Sequence, residues 1–168
     1  MIFPSKVVFR VDASLLMGNG HVMRCLTLAN ELTEEGAKCY FICREHKGHL
    51  FDVIRRHNHI LYSLLDEVID EENKPLIKGK HRLLSHASWL GCHWKVDAIQ
   101  SRNIIDKIKP DLLVIDHYAI DYAWESYVHD KSRKVMVIDD LANRKHLCDF
   151  LHDQTYLRKP KDYRRYIS

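Results

Sequence analysis

Apolar and polar positions fall into alternating blocks that read as strand, helix, strand, helix along most of the chain. Val7-Val8-Phe9-Arg10-Val11 is a short, nearly continuous apolar run and predicts a first strand. From Val22 to Glu35, the apolar positions Cys25, Leu28, Ala29 and Leu32 recur at helical spacing, and Gly36 supplies the stop. Cys39 to Cys43 predicts a second strand, Leu50 to Arg56 a helix and Ile60 to Ser63 a weak third strand. The charged segment Asp66 to Lys80, with Pro75 and Gly79, reads as a surface loop. A helix over Val96 to Ile108 stops before Pro110, and the runs Leu112 to Ile115 and Val135 to Ile138 have the pattern of strands covered on both faces. This alternation predicts an α/β fold, a Rossmann-like parallel sheet with helices on both faces.

Between the first strand and the first helix lies Met17-Gly18-Asn19-Gly20-His21. Two glycines let the backbone turn tightly and approach a ligand, while the unpaired N–H groups of an opening helix point into the same space. His21 then faces whatever binds there and offers an imidazole as proton acceptor. The turn is not a dinucleotide fingerprint, because Met23 stands where a third glycine is needed, and no Gly-Lys-Ser/Thr follows to make a P-loop. In open parallel sheets, ligands sit beyond the carboxyl ends of the strands. Three polar groups fall at such ends: the turn with His21, Asp116-His117-Tyr118, and Asp139-Asp140. Their convergence is the prediction, with Tyr118 within about two side-chain lengths of His21.

Composition narrows the class. The 168 residues suit one domain of ordinary size, and a hydrophobic content of 46% is that of a globular protein. No apolar run spans a bilayer and no secretory leader is visible, so a cytoplasmic location without membrane attachment is the expectation. Five cysteines without paired C-x-x-C spacing argue against a disulfide framework or zinc knuckle. A net charge of +3 is too small to imply nucleic acid, and the basic tail from Arg158 to Arg165 reads as a solvated end.

The stretches FRVDAS, GNGHVMRCLTLA, SHASWLGCHWKVDA, VIDHYAIDYAWE and VMVIDDLANRKHLCD, in that order, resemble the N-terminal half of the PseG family, hydrolases of UDP-2,4-diacetamido-2,4,6-trideoxy-β-L-altropyranose in pseudaminic acid biosynthesis. The resemblance implies the N-terminal domain of a GT-B fold, forming one wall of an interdomain cleft. It implies hydrolysis of the sugar C1–O bond with inversion and release of UDP, without a metal or other cofactor. Diphosphate is a good leaving group, so such an enzyme needs mainly a positioned water, a base and donors for the phosphates.

By this resemblance His21 is the general base and Tyr118 the second catalytic residue, with Gly18, Asn19 and Gly20 close to the sugar or its phosphates. Arg10, Asp12, Ser14 and Arg24 match the pattern around the turn as candidate substrate-binding residues. Asp12 either orients His21 or caps local backbone N–H groups, and Arg24 either meets phosphate or forms a surface ion pair. His86 and Trp89, with Trp94 and Asp97, belong to a segment that covers the sugar or packs under a surface loop. Asp116 and His117 complete the candidate substrate-binding set, while Asp139 and Asp140 either fix loops or contact sugar hydroxyls. His117, Asp116, Asp139 and Asp140 also have the ligand types of a metal-dependent hydrolase, but lack tight ligand spacing.

The family has a second domain that supplies most uridine and diphosphate contacts, and Thr155 stands where its LDQN motif has asparagine. The expected organisation is a Rossmann-like domain over 1–155 and the start of a linker or tail over 156–168, without the C-terminal nucleotide-binding domain. The expected partners are the UDP-sugar substrate and either a C-terminal domain in trans or a second copy of the chain. The alternative reading is a catalytically inactive sugar-binding or interaction domain.

Overall fold

Side chains of the first strand, β1 (Lys6–Val11), divide between two apolar layers: Val7, Phe9 and Val11 pack on one face of the sheet and Val8 on the other. The computed structural model describes residues 5–64 and 84–167, so the loop expected at 66–80 lies outside the described residues. After β1 come α1 (Gly20–Glu34), β2 (Lys38–Arg44), α2 (Phe51–Arg56), β3 (Ile60–Leu64), α3 (Trp94–Ile108), β4 (Leu112–Asp116), α4 (Tyr122–Val128), β5 (Lys134–Ile138) and β6 (Phe150–His152). The six strands form one parallel sheet in the order β3-β2-β1-β4-β5-β6.

Helices cover both faces, as expected of strands with continuous apolar runs. Val22, Cys25, Leu26 and Ala29 of α1 and Phe51 and Ile54 of α2 pack with Phe9 and Phe41 on one side. Ala98, Ile105 and Ile108 of α3 and Trp124 and Val128 of α4 pack with Val8, Leu113 and Val135 on the other. Strand order reverses between β1 and β4, which pair in register from Val7 with Leu112 to Val11 with Asp116. The chain leaves these two strands in opposite directions, opening a crevice above their carboxyl ends.

Two elements were not expected from the pattern. α4 has seven residues, too few for helical periodicity to show, and is started by Asp121, whose carboxylate accepts from the Ala123 N–H at 3.0 Å. β6 has three residues at the sheet edge and is mostly exposed, so its sequence lacks the apolar run of a central strand. α3 begins at Trp94 rather than Val96 because His93 Nδ1 caps it, accepting from the Lys95 N–H at 3.2 Å. The segment after β6 folds back on the domain: Tyr163 is buried, its hydroxyl 2.6 Å from the Asp139 carbonyl and 2.6 Å from Asp153 Oδ2. Ile167 bridges to His146. No helix among the described residues is long and apolar enough to cross a membrane.

Candidate functional site

The loop leaving β1 is shaped by Ser14, whose hydroxyl accepts from the N–H groups of Leu16 (3.2 Å) and Met17 (3.0 Å) while its carbonyl accepts from Gly18 (2.8 Å). Gly18 closes this turn at φ +78°, a conformation that favours glycine. Ser14 is therefore engaged with its own loop rather than displayed to a ligand. Asn19 and Gly20 are exposed at the start of α1, where the Asn19 side chain makes no capping bond. His21 and Arg24, three residues apart, share the face of α1 that overlooks the crevice.

These two side chains converge on Asp116, the last residue of β4. His21 Nδ1 lies 2.6 Å from Asp116 Oδ1, and the Arg24 guanidinium forks onto the same carboxylate with Nε to Oδ2 at 2.5 Å and Nη2 to Oδ1 at 2.6 Å. Burial opposes the charge on Asp116, but the hydrogen bonds from Arg24 and His21 outweigh it and hold the carboxyl below the usual carboxylate range. An ionised acceptor places the imidazole proton on Nδ1, so Nε2 presents its lone pair. His21 Nε2 makes no hydrogen bond among the described residues.

Arg24 reaches further, with Nη1 2.5 Å from Asp140 Oδ2, and the Tyr118 hydroxyl donates to that same oxygen at 3.0 Å. Burial, followed by the charge of Asp140, pushes the Tyr118 phenol up to about 12, so it remains a neutral donor. The Tyr118 ring stands edge-on to His21, centroids 4.5 Å apart. His86 and Trp89 extend this aromatic wall: Trp89 lies 5.8 Å from Tyr118 at 27°, and His86 contacts both Tyr118 (5.4 Å) and Trp89 (4.5 Å). The structure thus brings together His21, Arg24, Asp116, Tyr118, His86 and Trp89, and the separation expected between His21 and Tyr118 is met.

Other candidates sit beneath the crevice. Arg10 is fully buried, on the α3 face with Val8, and pairs with Asp97 (Nη2 to Oδ2, 2.6 Å) and Asp12 (Nη1 to Oδ1, 2.6 Å). It is closed to a ligand. Asp12 orients no atom of His21, the role Asp116 takes instead; its Oδ1 also accepts from the N–H of Arg44, across the β1–β2 pair at 2.6 Å. His117 faces away from the crevice because successive residues leaving a strand point to opposite sides. Its Nδ1 accepts from the Ala119 N–H at 3.0 Å, which puts the proton on Nε2, 3.2 Å from Asp12 Oδ2. Asp97 is likewise internal, accepting from Arg10, Arg44 and the Trp124 indole at 2.9 Å, and so does not cover a sugar.

Asp139 and Asp140 separate in the same way. Asp139 is buried and binds Arg144 and the Ala142 N–H, while Asp140 joins the site. His117, Asp116, Asp139 and Asp140 therefore do not converge as metal ligands, and no group of three metal-ligating side chains occurs among the described residues. The sequence reading missed that Asp140 braces both Arg24 and Tyr118. Its signal was its place just past the end of β5, beside Tyr118 past the end of β4 and Arg24 on the helix that follows β1.

No family model matches the chain. It is 30% identical over 159 residues to the UDP-2,4-diacetamido-2,4,6-trideoxy-beta-L-altropyranose hydrolase of Campylobacter jejuni, an alignment covering 94% of this chain and 44% of that protein. The resemblance carried by the five motifs thus runs along nearly the whole chain, which spans less than half the length of this curated relative. Among solved structures, CalG4, the calicheamicin glycosyltransferase, matches 83% of this chain and 33% of its own, at 15% identity and a TM-score of 0.45.

Proposed function

We propose that this chain is the N-terminal, base-bearing half of a nucleotide-sugar hydrolase of the PseG type. A water held at His21 Nε2 attacks C1 of a UDP-diacetamido-trideoxyhexose on the face opposite the diphosphate. The C1–O bond breaks, its electron pair leaves on the β-phosphate oxygen of UDP, and the water's proton passes to His21. The sugar is released with inverted configuration. Asp116 holds the imidazole in the accepting tautomer and balances the imidazolium as it forms.

The observation that carries this reading is the 2.6 Å His21–Asp116 contact with Nε2 unengaged beside an aromatic wall. The faces of Trp89 and Tyr118 suit the apolar edge of a deoxy sugar and its acetamido methyls, and Asn19 and Gly20 lie at the rim where polar substituents would pass. A second domain, linked or supplied in trans, holds the uridine. The substrate places the reaction in the cytoplasm, as a step of pseudaminic-acid-type biosynthesis.

The test is UDP release from the diacetamido-altrose nucleotide by the chain, alone and with the C-terminal half of the relative added, for the parent and His21→Ala. Release that depends on His21 supports the reading. Equal release by both proteins, or none even with the second half bound, overturns it.

A further inference from the structure

The fold-back of the C-terminal segment builds a second feature beside the crevice. Ala142, Arg158, Lys161, Asp162, Arg164 and Arg165 line an open cavity of about 440 Å³. Four of these six residues are cationic. Asp162 is committed locally, its Oδ2 accepting from the Lys159 N–H at 3.0 Å. Arg158 is anchored by Nη2 donating to the Asp140 carbonyl at 2.9 Å and by Nε 2.9 Å from Asp153 Oδ2. Lys161, Arg164 and Arg165 have no carboxylate within 4.0 Å among the described residues. Arg165 is nonetheless held, its guanidinium 4.8 Å above the Tyr166 ring.

Lys161, Arg164 and Arg165 gather positive charge around one cavity. They are exposed, so water and salt screen part of their mutual repulsion, and a bound anion of multiple charge relieves the remainder. The lining is polar and open, which suits a compact ligand of multiple charge better than an apolar one. Asp140 joins this cavity to the site: its carboxylate accepts from Arg24 and Tyr118, and its carbonyl holds Arg158. In a nucleotide sugar the diphosphate is bonded directly to the reacting C1, so a sugar against Tyr118 puts its diphosphate within reach of whatever flanks Asp140.

We infer that this basic cavity is a diphosphate-binding site on the N-terminal half itself, and that its ligand is the diphosphate of the nucleotide sugar hydrolysed at His21. The second clause rests on the proposed function; the first does not. Arg164 and Arg165 supply the principal charge, Lys161 adds to it, and Arg158 fixes the wall next to Asp140. The segment that reads in sequence as a solvated basic tail is, in this account, one side of the substrate channel.

The test is calorimetric titration of the chain at low salt with inorganic diphosphate and, separately, with UDP. The proteins compared are the parent, Lys161→Ala, the double variant Arg164→Ala/Arg165→Ala, and His21→Ala, with thermal melts showing that each is folded. Diphosphate affinity is expected to fall about tenfold in Lys161→Ala and about a hundredfold in the double variant, to weaken steeply with added salt, and to be unchanged in His21→Ala. Absence of diphosphate binding, or equal binding by the folded double variant, overturns the site. Diphosphate binding that depends on the arginines but is not displaced by UDP overturns only the nucleotide-sugar assignment. UDP binding indifferent to the arginines likewise overturns the nucleotide-sugar assignment and leaves the proposed function standing.

Discussion

Arg10 of β1 and Asp97 of α3 meet in a fully buried two-bond pair, Nε to Oδ1 at 3.1 Å and Nη2 to Oδ2 at 2.6 Å. Arg44 and the Trp124 indole converge on the same carboxylate, so one acidic residue holds together β1, β2, α3 and α4 below the crevice. Asp97→Ala leaves Arg10 and Arg44 without their shared partner in a dry interior. Removing one member of a buried pair costs about 3–5 kcal/mol. The expected outcome is a large fall in urea midpoint, with loss of any binding following from unfolding rather than preceding it.

Asp116→Asn separates charge from shape. The amide keeps the size of the carboxylate, but it no longer favours the Nδ1–H tautomer of His21 and leaves Arg24 with one anionic partner, Asp140, in place of two. Turnover of the nucleotide sugar is expected to fall about a hundredfold to ten-thousandfold with KM little changed. Asp12→Asn, which does not touch His21, should lower stability while sparing the pH profile of turnover. A larger turnover loss from Asp12→Asn in a folded protein would count against Asp116 as the residue that orients His21.

Much of this arrangement was legible because parallel strands advertise themselves. The runs at Val7 to Val11, Cys39 to Cys43, Leu112 to Ile115 and Val135 to Ile138 all became strands of one sheet, and strand ends are where such sheets place their sites. What the sequence could not convey is which way each polar residue at a strand end turns. Arg10, Asp12 and His117 differ little in type from Arg24, Asp116 and Tyr118, yet strand parity and the α3 carboxylate Asp97 draw the first set inward. That decision depends on a partner 87 residues away, a contact that no local pattern encodes.

Acid should unfold the protein earlier than an ordinary carboxylate titration predicts. Burial opposes ionisation of Asp12, Asp97, Asp116 and Asp139, but Arg10, Arg24 and Arg144 outweigh it and hold all four below the usual range. Groups with depressed folded values contribute stability that is present above their unfolded values and lost as pH falls through the folded ones. His117 adds to this. Burial lowers it beneath its ordinary 6.5, Asp12 only partly opposing, so the unfolded chain takes up that proton first. Melting temperature is expected to be nearly flat just above neutrality, begin to fall below about pH 6.5, and drop steeply through the carboxylate range. His59 is also lowered, by burial and then by the neighbouring His57, so in His117→Gln the first decline should shrink to the part that His59 carries while the second remains.

Tyr118 offers a test of the site that is independent of turnover. Its phenol is raised to about 12 by burial and by the neighbouring Asp140, against an ordinary 10.0. Raised folded values mean stability fully present below the unfolded value and lost as pH rises through the folded one, here between about pH 10 and 12. The difference in tyrosinate absorbance between the parent and Tyr118→Phe should show a step near pH 12, and Asp140→Asn should move that step downward by removing the adjacent charge. In turnover, Tyr118→Phe keeps the ring against His21 and loses the hydrogen bond to Asp140, so kcat should fall about tenfold with the sugar still bound. Trp89→Ala removes part of the wall itself and should instead raise KM by about tenfold with kcat little changed. If Tyr118→Phe shifts KM alone and Trp89→Ala lowers kcat alone, the hydroxyl binds the sugar and the indole positions the reacting centre, the reverse of the roles assigned by the geometry around Asp140.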